Sequence, residues 1–379
     1  MSKIIVLGAG MVGRAMAIDL TTNHDVTLTD INDEALSFAK KKCNALSTQK
    51  LDATDVHALK AAISTHDLVI CAVPGFLGYN TLKNIIEAGK NCIDISFFPE
   101  NSLDLNELAK KHGVTAIVDC GVAPGLDNIL LGYYNEKLEL TDFECLVGGL
   151  PKIKKWPFAY KAPFSPIDVI EEYTRPARYV EAGNVVVREP LTDCEYVEFD
   201  KVGTLESFNS DGLRSIIFTM PHIPNMKEKT LRYPGHVEYV RVLKESGFFS
   251  TDKIKVGNAE VSPLDFTSKV LFNEWKLGAE EEEITVMRVT LTGKNKEGKK
   301  ETVIYDMYDE FNHDTKTASM SRTTGYTATA AANMFLAGHF QEKGVFPPEL
   351  VGKHEACFDY IMKYIEERGI TWKVRKVVE

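Results

Sequence analysis

An apolar run, Lys3-Ile-Ile-Val-Leu7, passes straight into Gly8-Ala-Gly10-Met-Val-Gly13. A second run, His24-Asp-Val-Thr-Leu-Thr-Asp30, ends on a carboxylate. This order predicts a strand, a tight glycine turn, a helix, and a second strand tipped by an acid. Gly8 permits the turn, Gly10 leaves backbone open to a pyrophosphate, and Gly13 lets helix and strand pack closely. The unpaired N–H groups at the helix start face the phosphates. A dinucleotide fits this pattern better than a ligand-free structural turn, because strand, helix and acid all fall at the spacing the ligand needs. Met11 and Val12 belong to the same cradle. Asp30 is placed to accept hydrogen bonds from the adenosine ribose hydroxyls. Its charge would repel a 2′-phosphate, and Ile31, Asn32, Asp33 and Glu34 supply no arginine to hold one, so NAD is expected over NADP.

A chain of 379 residues is long for one core, and two domains are expected. The first third alternates strand and helix signals. Strands are expected at 3–7, 26–30, 50–52, 67–73, 91–95 and 114–119, with helices at 34–42, 56–63, 79–89 and 103–112. That alternation implies an α/β fold with a Rossmann-type doubly wound parallel sheet. Ligands then lie at the carboxyl ends of the strands. Those ends carry Asp52, Val73-Pro74, Asp94, and Asp119-Cys-Gly121. Asp52 is a candidate partner for the adenine amino group, Val73 and Pro74 for the wall along the cofactor's middle, and Gly121 for the nicotinamide end.

From about Phe143 to Thr323 strand signals dominate, which predicts a second α+β domain with a mostly antiparallel sheet. A hairpin is expected from 284–292 and 301–309 around the turn at Glu297-Gly298. The alanine-rich stretch Arg322–Phe340 reads as a helix. Residues 1–125 are therefore assigned to nucleotide binding, joined by C-terminal helices within 322–379. Residues 126–321 are assigned to substrate binding and dimerisation.

Net charge is −10, so nothing draws the whole chain toward nucleic acid or an anionic membrane. No apolar stretch has the length of a membrane span. The seven cysteines lack CxxC spacing and read as reduced, mostly buried thiols of a cytoplasmic protein. No metal-ligand spacing stands out, and none is expected. The anticipated partners are a small-molecule substrate and a second copy of the chain.

Five segments carry a family resemblance: Gly121-Val-Ala-Pro-Gly125-Leu-Asp-Asn-Ile-Leu130, Gly148-Gly-Leu-Pro151, Phe208-Asn-Ser-Asp-Gly-Leu-Arg214, Thr230-Leu-Arg-Tyr-Pro-Gly-His236 and Gly344-Val-Phe-Pro-Pro-Glu349. With them the chain resembles the saccharopine dehydrogenase superfamily, nearest its lysine 6-dehydrogenase branch. Saccharopine reductases of the superfamily usually hold an acid and a cysteine where this chain has Ala123 and Val147. Their absence counts against saccharopine itself as substrate.

The resemblance implies NAD-dependent oxidation at a carbon bearing nitrogen, most simply oxidative deamination of L-lysine to its 6-semialdehyde. Alternatives are a saccharopine or carboxynorspermidine type of reductase, or a non-catalytic NAD(P)-sensing protein. An ammonium cannot lose hydride. With a pKa of about 10.4, an ε-amine is neutral in only about one molecule in two thousand at pH 7. A base is therefore required. Asp94, Asp119, Asp211 and His236 are the candidates, each with an alternative reading as a cap or a turn brace. Arg232, and after it Arg214, are candidates for gripping a substrate carboxylate.

Overall fold

The computed structural model describes residues 1–164, 166–278 and 280–379. One sheet collects β1 (Lys3–Leu7), β2 (Asp25–Asp30), β3 (Ser47–Lys50), β4 (Leu68–Cys71), β5 (Asn91–Asp94) and β6 (Thr115–Ile117), all parallel. Helices α1 (Met11–Leu20), α2 (Asp33–Lys42), α3 (Val56–Ile63), α4 (Gly75–Glu87) and α5 (Asn106–His112) cross between them. The strand order β6-β5-β4-β1-β2-β3 reverses between β4 and β1, which opens a crevice at their carboxyl ends. β1 and β4 are apolar without alternation because helices cover both faces of the sheet. Asn32 caps α2 by accepting the Glu34 and Ala35 N–H groups, and Lys40 to Lys42 occupy the last turn, complementing the helix dipole.

Helix α6 (Leu126–Asn135) delivers the chain to β7 (Glu139–Pro151). Then come α7 (Pro166–Thr174), β8 (Ala177–Glu181), β9 (Asn184–Arg188), β10 (Glu195–Phe199), β11 (Gly203–Asn209), α8 (Ile216–Thr219), β12 (Asn225–Arg232) and α9 (His236–Glu245). A small hairpin, β13 (Ile254–Val256) and β14 (Ala259–Val261), precedes α10 (Pro263–Trp275). The predicted long hairpin follows as β15 (Glu283–Lys294) and β16 (Lys300–Glu310). The second sheet runs β10-β11-β12-β7-β15-β16 and then β18 (Trp372–Val378), antiparallel except where β12 meets β7.

After α11 (Ser319–Leu336) the chain returns to the first sheet, where β17 (Gly344–Phe346) pairs with β6 as a seventh strand. Helices α12 (Pro348–Gly352) and α13 (Glu355–Glu366) then lead to β18 (Trp372–Val378), which pairs with β16. The tail is thus helical only in part, and it supplies one strand to each sheet. β3 differs as well: it ends at Lys50, and Asp52 lies in the turn beyond it. Its four residues are polar and exposed, so no apolar run marks the strand in the sequence. No helix among the described residues is long and apolar enough to cross a membrane.

Helix α6 is pressed against α12 through glycine. A methyl on Gly132 would come within 2.1 Å of the Glu349 carbonyl oxygen. Gly132→Ala should therefore destabilise the protein by about 1–3 kcal/mol through overpacking, read as a lowered denaturant midpoint with unchanged slope.

Candidate active site

The tips of β1 and β4 face a cavity of about 990 Å³ that runs between the two sheets. Its nucleotide side is built as the glycine spacing predicts. Gly8 has φ +105°, and a methyl there would sit 2.4 Å from the Ala72 carbonyl oxygen. A methyl on Gly13 would meet the Gly8 carbonyl oxygen at 2.0 Å. At Gly10, by contrast, the space beside the backbone is open, and no side chain caps α1. That opening, at a helix start whose N–H groups lack a side-chain cap, fits a pyrophosphate. Met11, Val12, Val73, Pro74 and Gly121 line the same cavity. Asp30 lines it too, with one carboxylate oxygen taking the Ala9 N–H at 2.6 Å and the other the Asn32 N–H at 2.8 Å.

Asp52 does not join this group. Its carboxylate accepts the Thr54 N–H and hydroxyl at 2.9 and 2.7 Å, outside the cavity wall. Two cations do join it, though neither lies in the stretch directly after Asp30. Arg14 of α1 lies over the Phe38 ring at 4.6 Å, and Lys42 of α2 reaches the Lys316 carbonyl at 2.8 Å.

On the far side, β12 turns Glu228, Thr230 and Arg232 toward the cavity, the two-residue period of a strand. Arg232 is buried with its donors engaged. Nη2 meets Glu172 at 2.6 Å, Nε the Tyr173 hydroxyl at 3.2 Å, and Nη1 the Leu231 carbonyl at 2.9 Å. The expected open fork for a substrate carboxylate is therefore occupied by Glu172. Burial raises the Glu172 carboxyl above its usual range, and the guanidinium opposes that rise. Arg214 lies outside the main cavity wall, donating to Asp119 and to the Phe98 carbonyl at 2.9 and 2.8 Å.

The four candidate bases separate by environment. Asp119 lines the cavity but is held by Arg214. Asp211 lines it and is gripped by both arms of Arg178, at 2.9 and 2.8 Å. Asp94 is sealed beneath the wall, where burial pushes its carboxyl up to about 7. His236 is not placed as a base. It is buried away from the cavity, with Nδ1 at 2.9 Å from the Phe158 carbonyl and Nε2 at 2.9 Å from the Tyr173 hydroxyl. A carbonyl only accepts, so Nδ1 carries the hydrogen and Nε2 receives the tyrosine's proton. Arg232, Tyr173, His236 and Phe158 then form one donor chain that braces the arginine. Burial, reinforced by the Arg232 charge, lowers the His236 pKa to about 3.

Glu172, Tyr160, Arg175 and Glu228 also line the cavity, and reading the sequence alone missed them. The spacing of Glu171 and Arg175, an i,i+4 ion pair at 3.0 Å across the end of α7, was an available signal. So was the alternation along β12, which puts Glu228 on the face of Arg232.

A parallel Rossmann-like sheet, a second mixed sheet and an inter-sheet cavity with a glycine cradle define the class: an α/β protein with a dinucleotide-type fold. The saccharopine dehydrogenase C-terminal domain model matches residues 121–370, and the saccharopine dehydrogenase NADP binding domain model matches residues 4–117. The chain belongs to the saccharopine dehydrogenase family. It is 26% identical over 266 residues to saccharopine dehydrogenase [NADP(+), L-glutamate-forming] of Pyricularia oryzae, a match covering 66% of this chain and 59% of that one. It is 24% identical to carboxynorspermidine synthase of Vibrio alginolyticus, covering 99% and 97% of the two chains. Apo saccharopine dehydrogenase (L-Glu forming) from Saccharomyces cerevisiae shares the fold, with a TM-score of 0.79 at 20% identity and full coverage of both chains. The chain spans less than two thirds of the length of several curated relatives it matches.

His236 binds a proton more weakly folded than unfolded, so its stabilising contribution is complete above about pH 6.5 and is lost as pH falls toward 3. The stability advantage of wild type over His236→Gln should shrink by about 1.4 kcal/mol per pH unit as pH falls below about 6.5. Urea melts of both proteins across that range check it.

Proposed function

We propose that the protein is an NAD-dependent oxidoreductase acting on the carbon–nitrogen bond of an amino acid, with oxidative deamination of L-lysine at its 6-carbon as the leading reaction. The observation that carries the substrate class is the charge state of the cavity wall. Arg232 and Arg175 are each paired with a carboxylate, Glu172 and Glu171, and Asp119 and Asp211 are balanced by Arg214 and Arg178, so that Glu228 adds an acid in no ion pair among the described residues. Such a wall suits a substrate with more ammonium than carboxylate. A tricarboxylate such as saccharopine would meet, in Arg232 and Arg175, two guanidinium groups already paired. Ala123 and Val147, both on the cavity wall, add only apolar surface there.

When bound, the oxidised nicotinamide supplies a hydride acceptor. The protein's own work is to hold the amine, exclude water between the two sheets and take the ammonium proton first. Displacement of Glu172 by the substrate's α-carboxylate would leave Arg232 charge-balanced, and the His236–Tyr173 chain would keep its fork in place. The second reading, reductive formation or cleavage of a secondary amine, is favoured by the match to carboxynorspermidine synthase along almost the whole of both chains. Cofactor reduction with lysine but not with saccharopine supports the first reading. Turnover only with a secondary amine replaces it with the second. Tight NAD binding without turnover of any amine indicates a sensing protein.

For the cofactor, Asp30 supports NAD, because a 2′-phosphate would approach a carboxylate already fixed by two backbone N–H groups. The family model's NADP label and the positions of Arg14 and Lys42 support the phosphorylated form. Asp30→Ala should shift the ratio of kcat/KM for NADP over NAD upward by about 10- to 100-fold, equivalent to about 1.4–2.8 kcal/mol. A wild type that already prefers NADP overturns this cofactor assignment.

A further inference from the structure

Under the cavity three buried side chains converge from separate elements: Asp127 of α6, Cys145 of β7 and Glu228 of β12. One oxygen from each carboxyl and the Cys145 sulfur all lie within 4.8 Å of one another. Sheet register fixes two of the three, since Glu228 pairs directly with Cys145. Room for the Glu228 carboxyl comes from Gly212, where a methyl would sit 2.1 Å from its carbon. Asp127 Oδ1 takes the Gly125 N–H at 2.9 Å. Asp127 Oδ2 and Glu228 Oε2, however, have no hydrogen-bond partner among the described residues.

Two ionised carboxylates have no hydrogen to offer each other, and leaving both charged and unpaired in the interior is costly. One proton between them converts two orphaned acceptors into a donor and an acceptor. We propose that Asp127 and Glu228 share a single proton beneath the cavity, and that Glu228, the member that lines it, exchanges protons with the substrate nitrogen. The exchange rests on the reaction proposed above; the shared proton does not.

The surroundings agree. Facing Glu228 are Asp127, Cys145, Asp211 and Arg214, and facing Asp127 are Cys145 and Glu349. Asp211 is neutralised by Arg178, and Glu349 is held by Thr219 and Asn128. Burial is the largest influence on both acids and pushes both upward, with the Asp127 charge adding to the rise of Glu228 and the Glu349 charge to that of Asp127. Only a proton moves in the step. The substrate's N–H bond breaks, its proton passes to a Glu228 oxygen, and the pair goes from one proton and one negative charge to two protons and none. The nitrogen keeps the electron pair that its carbon needs in order to release hydride.

Infrared spectroscopy at pH 7 tests the shared proton. Glu228→Gln and Asp127→Asn each leave one amide donor facing one carboxylate, so the pair keeps its charge and shape. Each should lose protonated-carboxyl absorption equivalent to one group relative to wild type. Unchanged absorption in both variants overturns the proposal. So does a stoichiometric divalent metal in the purified protein that Glu228→Gln abolishes, because a cation would then do the neutralising. With NAD and lysine, Glu228→Gln should lower kcat about 10²–10⁴-fold while NAD affinity stays unchanged. An unchanged kcat overturns the exchange. Absence of amine-dependent reduction in wild type overturns the exchange together with the reaction it rests on, while the infrared result still decides the shared proton.

Discussion

Asp19, near the end of α1, ties the nucleotide-binding layer to the rest of the molecule. One of its oxygens accepts the Thr329 and Tyr364 hydroxyls at 2.6 and 2.8 Å, and the other takes Arg368 Nε at 2.8 Å. Three segments far apart in sequence, α1, α11 and the end of α13, thus meet at one carboxylate. The helices can come this close because α11 is rich in small residues: a methyl on Gly325 would already be 3.1 Å from Met16. Arg322, on the same helix, pairs with Asp309 of the second sheet at 3.1 Å. One helix therefore bonds to both layers and fixes their separation. A cavity whose walls belong to different sheets keeps its shape only if that separation is fixed.

What the sequence made legible follows from how local each determinant is. The Gly8–Gly13 turn, the Asp30 tip and the long hairpin depend on contacts within about thirty residues, and the parallel layer announces itself through strand–helix alternation; patterning reports both directly. β3 was shifted because its residues, Ser47 to Lys50, are all polar and exposed at a sheet edge. The return of β17 to β6 left no mark, since a strand of three residues borrows its pattern from the neighbour it joins. Asp52 was read from its place at a strand tip, but the nearby Thr54 offered its carboxylate a closer pair of donors.

The opposite wall of the cavity was less legible, for an electrostatic reason. Acid or base character at a cleft depends on which opposite charge the fold brings beside each group. Arg214 reaches Asp119 across 95 residues, and Arg178 reaches Asp211 across 33. His236 looked like a base because its unperturbed pKa lies near neutrality. Burial beside Arg232 removes that property and leaves a hydrogen-bond brace. Glu228 had the opposite fate. Flanked by Lys227 and Lys229, it reads as one member of a solvated charged strand. Lys227 instead pairs outward with Glu144 and Lys229 lies over Glu195, which leaves the acid with no lysine partner on the inner face.

The two halves of the cavity thus obey different rules. Backbone geometry makes the nucleotide side: a turn, a helix start, one carboxylate. Few substitutions there preserve the turn, because a methyl at Gly8 or Gly13 strikes a carbonyl. The opposite wall is made of side chains on α7, β7 and β12, whose backbones pair or pack regardless of what those side chains are. Glu228 and Cys145 face each other because their strands are in register, and that register holds whichever residues occupy the two positions. A fold built this way can keep one cofactor cradle while its substrate chemistry is rewritten at a handful of inward-facing strand positions.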